Sequence, residues 1–385
     1  MNSETWNTRN IGDLINLEYG TGLTETTRSG SGFPVYGSNG IVGYHNSYSV
    51  NGPGIIVGRK GSVGAVHWSS SSFWPIDTAY YVTLKKENDL RWCYWALQYA
   101  ALQRLDSSTG VPGLNRNDVY KLKIQEPPYP EQIQIAQILD TVDEAIQRTE
   151  QLIAKLKAIK QGLLHDLLTR GLDQNGQLFK SRPESVIALS GVAEVDPSPT
   201  KKIPNMDEVV SFIPMTDVSD DGIWTGNQKR FLHDVYQGYT AFQENDVLFA
   251  KITPCMENGK GCHAIGLENS IGFGSTEFFV LRAKPGFSPR FIYYWTLTAI
   301  VRRKAAAFMI GSAGQQRVKR EFFDNFEIPL LPFSMQERIT TVLDVQEARI
   351  QTEKVYLDKL KLIKKGLIHD LLTGKVRVNT KFEKS

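Results

Sequence analysis

The peptides "KQGLLHDLLTR" at residues 160–170 and "KKGLIHDLLTG" at residues 364–374 are nearly the same and lie 204 residues apart. Aligning the chain with itself at this offset matches residues 124–169 with 328–373 without a gap, and about 20 of the 46 pairs are identical. Agreement over that length indicates an internal repeat. The chain is therefore a tandem duplication, and the repeated part organises it.

Each repeated segment predicts a long helix of about 39 residues, roughly 58 Å if fully helical. Apolar residues recur at alternating three- and four-residue steps, as in a coiled-coil seam. Ile159, Tyr356 and Ile363 also fall on this seam, and Thr149 interrupts it. An isolated seam would stay exposed, so we expect the two helices to pack on each other, antiparallel. The residues expected to pair the helices or to dock partners are Ile135, Leu139, Val142, Ile146, Leu156, Leu163, Ile339, Leu343, Ile350, Leu360 and Leu367.

The regions before the two helices share little identity but a common order of parts. "TAYYVTL" (78–84) resembles "TEFFVL" (276–281), and "GVPG" (110–113) matches "GSAG" (311–314). Gly, Ser, aromatic residues and short alternating runs predict an α+β fold with many loops. The predicted segments are a globular head at 1–128, a helix at 129–172, a linker at 173–183, a second head at 184–330, a second helix at 331–374 and a tail at 375–385.

Composition bounds the class of protein without naming a partner. A chain of 385 residues with 41% hydrophobic and 22% charged residues is typical of globular domains. No stretch of 18 apolar residues and no secretion signal is visible, so we expect no membrane partner. Three cysteines fit a reducing cytoplasm. The net charge of +3 leaves nucleic acid open as a partner.

The paired His165–Asp166 and His369–Asp370 allow two interpretations. Adjacent His-Asp occurs in metal-dependent phosphohydrolases, which need further histidines and aspartates around the metal. Both doublets lie near predicted helix ends, where a cationic histidine interacts favourably with the helix dipole. We expect a structural role and no metal.

Two other motifs are weaker candidates for chemistry. "EPPY" (126–129) resembles the Asn/Asp-Pro-Pro-Tyr of adenine methyltransferases, but the second copy reads "LLPF" and no glycine-rich cofactor loop follows a strand nearby. Two prolines are also a common way to begin a helix. Cys255, Cys262 and His263 lack a fourth zinc ligand in the sequence. No catalytic residue is predicted.

Polar loops in both heads are suited to DNA instead. Glycines around Arg59 and Lys60 allow close backbone approach, and two cations there can meet phosphates or guanine, although a solvated hairpin turn is the alternative. Glutamine amides in "GSAGQQRVKR" (311–320) can pair with adenine edges. The predicted DNA-binding residues are Tyr36, Ser38, Asn39, Tyr44, His45, Arg59, Lys60, Ser62, Asn115 and Arg116 in the first head, and Gln228, Lys229, Arg230, Lys251, Thr253, Ser312, Gln315, Gln316, Arg317 and Lys319 in the second.

Over nearly its whole length the chain resembles the specificity subunit of type I restriction–modification systems. The resemblance rests on the repeated proline-rich start followed by "EQIQIAQILD" or "QERITTVLD", and on the repeated "GLxHDLLT" ending. It also rests on the head segments "PVYGSNGIVGYH", "GRKGSVG" and "GSTEFFVLRAK".

The resemblance implies two target recognition domains separated by two antiparallel helices, related by a pseudo-twofold axis. Each domain reads one half of an asymmetric bipartite site on double-stranded DNA, and the helices set the spacing. The subunit is not an enzyme and holds no cofactor. It assembles with two methyltransferase subunits and with restriction/translocase subunits, to which S-adenosylmethionine, ATP and Mg²⁺ belong. An adenine-N6 methyltransferase and a coiled-coil protein adaptor are the alternatives.

Overall fold

The computed structural model describes residues 6–105, 113–198, 205–226, 228–312 and 314–379. The chain forms two compact units, Met1–Gln151 with Lys354–Ser385, and Leu152–Glu353. Both limits fall inside the long helices, whereas the sequence predicted heads and helices as separate segments. Each unit therefore contains one head and parts of both helices.

The first head begins at β1 and leads into the helix α4. Its helices and strands are β1 (Asn7–Asn10), α1 (Ile11–Leu14), β2 (Ile15–Tyr19), β3 (Phe33–Gly37), β4 (Gly40–His45), β5 (Gly54–Gly58), β6 (Val66–Ser69), β7 (Trp74–Pro75), β8 (Ala79–Leu84), α2 (Leu90–Tyr99), α3 (Arg116–Tyr120), β9 (Lys123–Glu126) and α4 (Tyr129–Arg170).

The second head repeats this order with additional elements and leads into α10. Its elements are β10 (Val186–Ala188), α5 (Leu189–Val192), β11 (Ala193–Val195), β12 (Val209–Ile213), β13 (Lys229–Phe231), α6 (Leu232–Val235), β14 (Thr240–Gln243), β15 (Val247–Ala250), β16 (Gly261–His263), β17 (Ile271–Gly274), β18 (Phe278–Ala283), α7 (Pro289–Thr296), α8 (Ala299–Ala306), β19 (Met309–Ile310), β20 (Arg317–Val318), α9 (Phe322–Asn325), β21 (Glu327–Pro329) and α10 (Phe333–Leu372).

The sheets of the two heads have the same connectivity. The four-stranded sheet β2-β8-β5-β6 of the first head corresponds to β11-β18-β15-β16 of the second. The sheet β4-β3-β7 corresponds to β13-β12-β17, which β14 extends by one strand. Each of these sheets contains a parallel pair, β3 with β7 in the first head and β12 with β17 in the second. The α+β prediction with two domains and long helices is confirmed, and the heads share a topology that their sequences barely show.

Each head is completed by two helix segments far apart in the sequence. In the first unit, Ile135 and Leu139 near the start of α4 share a buried core with Leu371 and Leu372 at the end of α10. In the second unit, the end of α4 supplies Leu164, Leu167 and Leu168 to the core that also holds Ile339 and Leu343 near the start of α10. The repeated "HDLLT" thus ends each helix inside a head core.

The two helices run antiparallel in each unit. In the first unit Lys361 pairs with Glu150 at 2.8 Å and Lys364 pairs with Asp143. The residue numbers therefore rise along α10 as they fall along α4. In the second unit Gln346 donates to the Leu156 carbonyl at 3.1 Å, whereas Leu168, later in α4, shares a core with Ile339, earlier in α10. This confirms the predicted direction of pairing.

Most positions of the predicted seam are buried or partly buried. Eight of its residues are buried, and Val142, Leu163 and Leu367 are partly buried. Ile159, Tyr356 and Ile363, however, are 44%, 49% and 42% exposed, while Thr149 is buried. A straight α-helix drifts from a strict seven-residue repeat, so a seam read from the sequence leaves the true contact line over several turns. The buried residues of this set are Ile135, Leu139, Ile146, Leu156, Ile339, Leu343, Ile350 and Leu360.

Repeated polar residues fasten each helix to its own head. Gln132 accepts a hydrogen bond from the Asp89 amide at 2.8 Å and donates to the Pro127 carbonyl at 2.9 Å. Gln336, which lies 204 residues later, does the same with the Ser288 amide and the Leu331 carbonyl.

A second repeated polar residue, Asp140, accepts from Arg91 at 2.7 Å and from the Trp95 indole at 2.9 Å. Asp344 accepts from Arg290 at 2.7 Å and from Tyr294. The polar residues that are identical at the starts of both helices therefore attach each helix to its own head.

We expect Gln132→Ala to lower the free energy of unfolding by about 2 kcal/mol, because it leaves the Asp89 amide and the Pro127 carbonyl without their partner. Urea unfolding of the whole chain measures the change. Gln137→Ala, an exposed glutamine on the same helix, is the matched control and should stay within about 0.5 kcal/mol of the parent. Equal effects of the two substitutions would contradict the anchoring role.

Burial, and next the charge of Arg290, lower the pKa of His263 to about 4. Between pH 6.5 and 4 the unfolded chain then binds a proton that the folded chain does not. The stability from this group is fully present above pH 6.5 and falls with pH through that window, by up to about 1.4 kcal/mol per pH unit.

His263→Phe removes the titration and keeps a ring against Tyr293, whose centroid is 6.0 Å away. We expect the variant to lose stability less steeply between pH 6.5 and 4, measured by urea unfolding at several pH values. If the free energy of unfolding of parent and variant fell equally steeply between pH 6.5 and 4, His263 would not be the group responsible.

Candidate nucleic-acid interface

Three predicted segments of the first head lie side by side. The turn at Ser38 and Asn39 joins β3 to β4. Ser38 lies against Gly58, the last residue of β5, and against Gly61 of the loop after β5. Lys60 forms a bridge with Gly113, and the Leu114 amide donates to the Arg59 carbonyl at 2.8 Å. The structure thereby brings Ser38, Asn39, Arg59, Lys60, Ser62, Asn115 and Arg116 to one region.

Two guanidinium groups share one tyrosine in this region. The Arg59 guanidinium lies 4.8 Å and that of Arg116 5.1 Å from the ring centroid of Tyr19. They line an open cleft of about 710 Å³ together with Lys60, Tyr80 and the surrounding asparagines. Its charged lining residues are all cationic, so the cleft suits a polyanion with planar bases.

Other predicted residues of the first head have different environments. Tyr36 is 6% exposed and donates to the Trp68 carbonyl, so its side chain belongs to the core and is not open to a ligand. Both faces of β3 are covered at its end, and Tyr36 packs in a core cluster with Ile56 and Phe73. His45 is half-buried with its ring edge-on to Trp74. Tyr44 is exposed.

The second head brings two of its predicted segments together. Ile252 forms a bridge with Arg317, and the Thr253 amide and hydroxyl donate to the Gln316 carbonyl at 3.0 and 3.2 Å. Lys251 lies 5.2 Å from the Phe279 ring centroid. Gln315, Ser312 and Lys319 are exposed beside this pair of segments.

The remaining predicted segment, Gln228 to Arg230, lies at the start of β13, an edge strand of the other sheet. Gln228 donates to Asp217 at 3.0 Å, and Lys229 pairs with Glu268. The Arg230 guanidinium lies 5.5 Å from the Phe212 ring. No described contact joins these residues to Lys251 or Arg317.

The predicted segments nevertheless occupy equivalent places in the two heads. One segment of each head lies at the β3–β4 or β12–β13 connection. A second lies in the loop after β5 or β15, and the third lies just before α3 or α9. The paired glycine motifs before these helices need a correction in register. The Val318 amide donates to the Lys251 carbonyl, and the Leu114 amide donates to the Arg59 carbonyl in the same way. Leu114 is therefore equivalent to Val318. It follows that Asn115 and Arg116 correspond to Lys319 and Arg320, and not to residues within Gln315–Arg317. Residues 110–112 and 313 of those motifs lie outside the described residues.

Arg302 organises the loop that carries Lys251 and Thr253, a role that its sequence context did not predict. Its guanidinium is buried and donates to the carbonyls of Thr296, Met256, Lys260 and Gly259 at 2.8–3.2 Å. Burial lowers its pKa to about 9, so it remains charged near neutral pH. An arginine in an exposed-looking "RRK" run gives no signal of this role. Tyr19 and Glu277 were likewise missed, because each depends on a partner distant in sequence.

The motifs weighed for catalysis have structural partners. Glu126 of "EPPY" pairs with Arg9 at 3.1 Å, and the Pro127 carbonyl accepts from Gln132. His165 and His369 are exposed, and His369 lies 3.3 Å from the Tyr99 hydroxyl. Within the described ranges no group of three or more histidine, cysteine, aspartate or glutamate side chains is placed to hold a metal.

The model of the type I restriction modification DNA specificity domain matches this chain twice, over residues 3–158 and 184–362. These segments make up most of the chain and contain one head each. The chain belongs to the family of type I restriction–modification DNA specificity domains, which confirms the resemblance found in its sequence.

Among similar proteins is the type I restriction enzyme EcoAI specificity subunit of Escherichia coli, 38% identical over 154 residues, or 39% of this chain and 26% of that protein. The EcoEI specificity subunit of Escherichia coli is 37% identical over 158 residues, 40% of this chain and 26% of that protein. The match thus spans about a quarter of these relatives. The MjaVIII specificity subunit of Methanocaldococcus jannaschii is 23% identical over 296 residues, 73% of this chain and 68% of that protein.

Two solved structures have a similar fold. The S subunit of a type I restriction–modification system from M. genitalium aligns over 97% of both chains with a TM-score of 0.62 and 17% identity. A chain from a study of type I R-M complex assembly aligns over 98% of this chain and 100% of its own, with a TM-score of 0.56 and 13% identity. In the part of the present chain that is described, no helix is long and apolar enough to cross a membrane.

We expect Arg302→Met to lower the free energy of unfolding by at least about 3 kcal/mol, because four carbonyls, two of them buried, lose their donor. Arg303→Met changes the adjacent, exposed arginine and should cost less than about 0.5 kcal/mol. Thermal and urea unfolding of both variants measure the difference. Comparable losses at the two positions would exclude the role assigned to Arg302.

Proposed function

We propose that this chain is the DNA-recognition and assembly subunit of a type I restriction–modification complex, and that it has no catalytic activity of its own. Each head reads one half of an asymmetric bipartite site, and the two helices set the spacing and dock the methyltransferase subunits. The observation that carries the proposal is that both heads present polar, cation-bearing segments at the same three places of one shared topology.

The differences between the heads support an asymmetric target. The first head offers Arg59 and Arg116 stacked on Tyr19, whereas the second offers Lys251, Gln315 and an arginine paired with a carboxylate. Direct readout depends on which donors and acceptors meet the base edges. Two heads with one backbone plan and different side chains therefore recognise different half-sites.

The partners proposed are double-stranded DNA, two methyltransferase subunits and restriction/translocase subunits. S-adenosylmethionine, ATP and Mg²⁺ are assigned to those subunits and none to this chain. The structural partners of Glu126 and Pro127 support the view that "EPPY" begins a helix and does not methylate adenine. The free thiols of Cys93, Cys255 and Cys262 support a reducing, cytoplasmic location.

The test is to assemble the chain with the methyltransferase subunits of its own system and to map methylated adenines across a genome. We expect one interrupted, asymmetric motif. Substituting Gln315→Ala should alter only one half of that motif, by roughly tenfold at the affected base pair, and Asn39→Ala should alter the other half. Changes in both halves from one substitution would contradict the division of labour between the heads.

The chain alone, given DNA and labelled S-adenosylmethionine, separates the alternatives. We expect no methyl transfer, and robust transfer would establish the methyltransferase instead. An assembled complex with no sequence preference would favour a protein adaptor.

A further inference from the structure

We infer that Glu277 is a positioning residue that orients Arg317 to read a guanine in the half-site of the second head. The inference rests on the proposed function, because it assumes that this surface meets DNA. Glu277 was not among the residues predicted from the sequence, and the partner of its carboxylate is Arg317.

The pair has a fixed, two-pronged geometry. Arg317 donates from Nη2 to Glu277 Oε1 at 2.7 Å and from Nε to the two carboxylate oxygens at 3.0 and 3.1 Å. Planar guanidinium–carboxylate pairing of this kind fixes orientation as well as distance. The carboxylate thereby occupies the edge of the guanidinium formed by Nε and Nη2.

The backbone under each partner is also held. The Glu277 carbonyl accepts from the Lys251 amide at 2.9 Å, and its own amide donates to the Ser275 hydroxyl at 3.2 Å. Arg317 lies on β20 and bridges Ile252. The two side chains therefore meet on a rigid support, as accurate base reading requires.

Donors remain on the guanidinium for a ligand. Of its five N–H groups, the carboxylate takes one from Nε and one from Nη2, and the Gln315 carbonyl accepts from Nη1 at 3.3 Å. One hydrogen each on Nη1 and Nη2 is left, and the Arg317 side chain is 45% exposed. Two adjacent donors match the O6 and N7 acceptors of guanine in the major groove.

In the first head, the positions equivalent to Glu277 and Arg317 are occupied by uncharged residues. Thr78 accepts from the Arg59 amide at 2.9 Å as Glu277 does from Lys251, so Thr78 is the equivalent of Glu277. Gly113 bridges Lys60 as Arg317 bridges Ile252, so Gly113 is the equivalent of Arg317. The backbone contacts match and the side chains differ, which is the pattern expected of a specificity determinant.

Stability and affinity do not account for the acid. An exposed ion pair contributes little to folding, and a carboxylate on a DNA-facing surface weakens attraction to phosphates. Its effect is to keep Arg317 from turning to a phosphate, where the arginine would bind every sequence alike.

The experiment compares Glu277→Gln, Arg317→Gln and the double variant in the complex assembled with its methyltransferase subunits. Binding to DNA carrying the mapped site, to the site with each G·C pair of the second half changed, and to unrelated DNA is measured over a range of salt. Glu257→Gln removes an equal charge from an exposed position of the same head and is the matched control. Thermal unfolding checks that every variant is folded.

We expect Glu277→Gln to lower discrimination at one G·C pair by about tenfold, to strengthen binding to unrelated DNA and to steepen its salt dependence by about one phosphate contact. In the double variant the loss of discrimination should equal that of Arg317→Gln alone, because Glu277 acts through Arg317. Glu257→Gln should leave discrimination unchanged.

The inference is overturned if Glu277→Gln retains full discrimination, or if it and Glu257→Gln shift the affinities for all sequences equally. Loss of discrimination in Glu277→Gln that adds to that of Arg317→Gln also overturns it. In each of these cases the proposed function still holds, provided that the unsubstituted complex prefers one DNA site. A parent complex without sequence preference would instead refute the proposed function, and this inference with it.

Discussion

Burial of the helix ends is the constraint on which the rest of the structure depends. Each head lacks a complete core until it receives the start of the helix that follows it and the end of the other helix. In the first unit Leu139 and Leu372 meet in one core, and in the second Leu168 and Leu343 do. Fully burying a leucine contributes about 1.5–3 kcal/mol, so these few residues make each head depend on both helices.

The polar anchors follow from the same arrangement. A helix start that enters a core brings backbone and side-chain polar groups with it, and each must find a partner. Gln132 and Gln336 meet this need in the same way, as do Asp140 and Asp344. With the scaffold held by repeated contacts, the loops beyond it are free to differ, and Arg302 shows how one such loop is supported from beneath.

The histidine–aspartate doublets belong to this scaffold. His369 and Asp370 face outward just before the buried leucines, and Asp370 pairs with Lys375 at 3.1 Å. Asp166 pairs with Arg170 at 3.4 Å at the end of α4. Charged residues beside a buried helix end keep it soluble where it leaves the core, and the repetition of "GLxHDLLT" reflects this shared position rather than a shared reaction.

The sequence by itself determined the duplication, the two helices with their direction, the α+β heads and the family, because identities at one fixed offset and heptad spacing are local patterns. It also predicted DNA-binding segments, and these lie in equivalent loops of the two heads. Tertiary structure alone decided that Tyr36 faces the core, that Ile159 leaves the seam, and that Arg317 is held by Glu277. Each of these depends on a neighbour far away in the chain, on which face a strand turns inward, or on small angular drift summed along a helix. None of these three properties can be read from a single sequence.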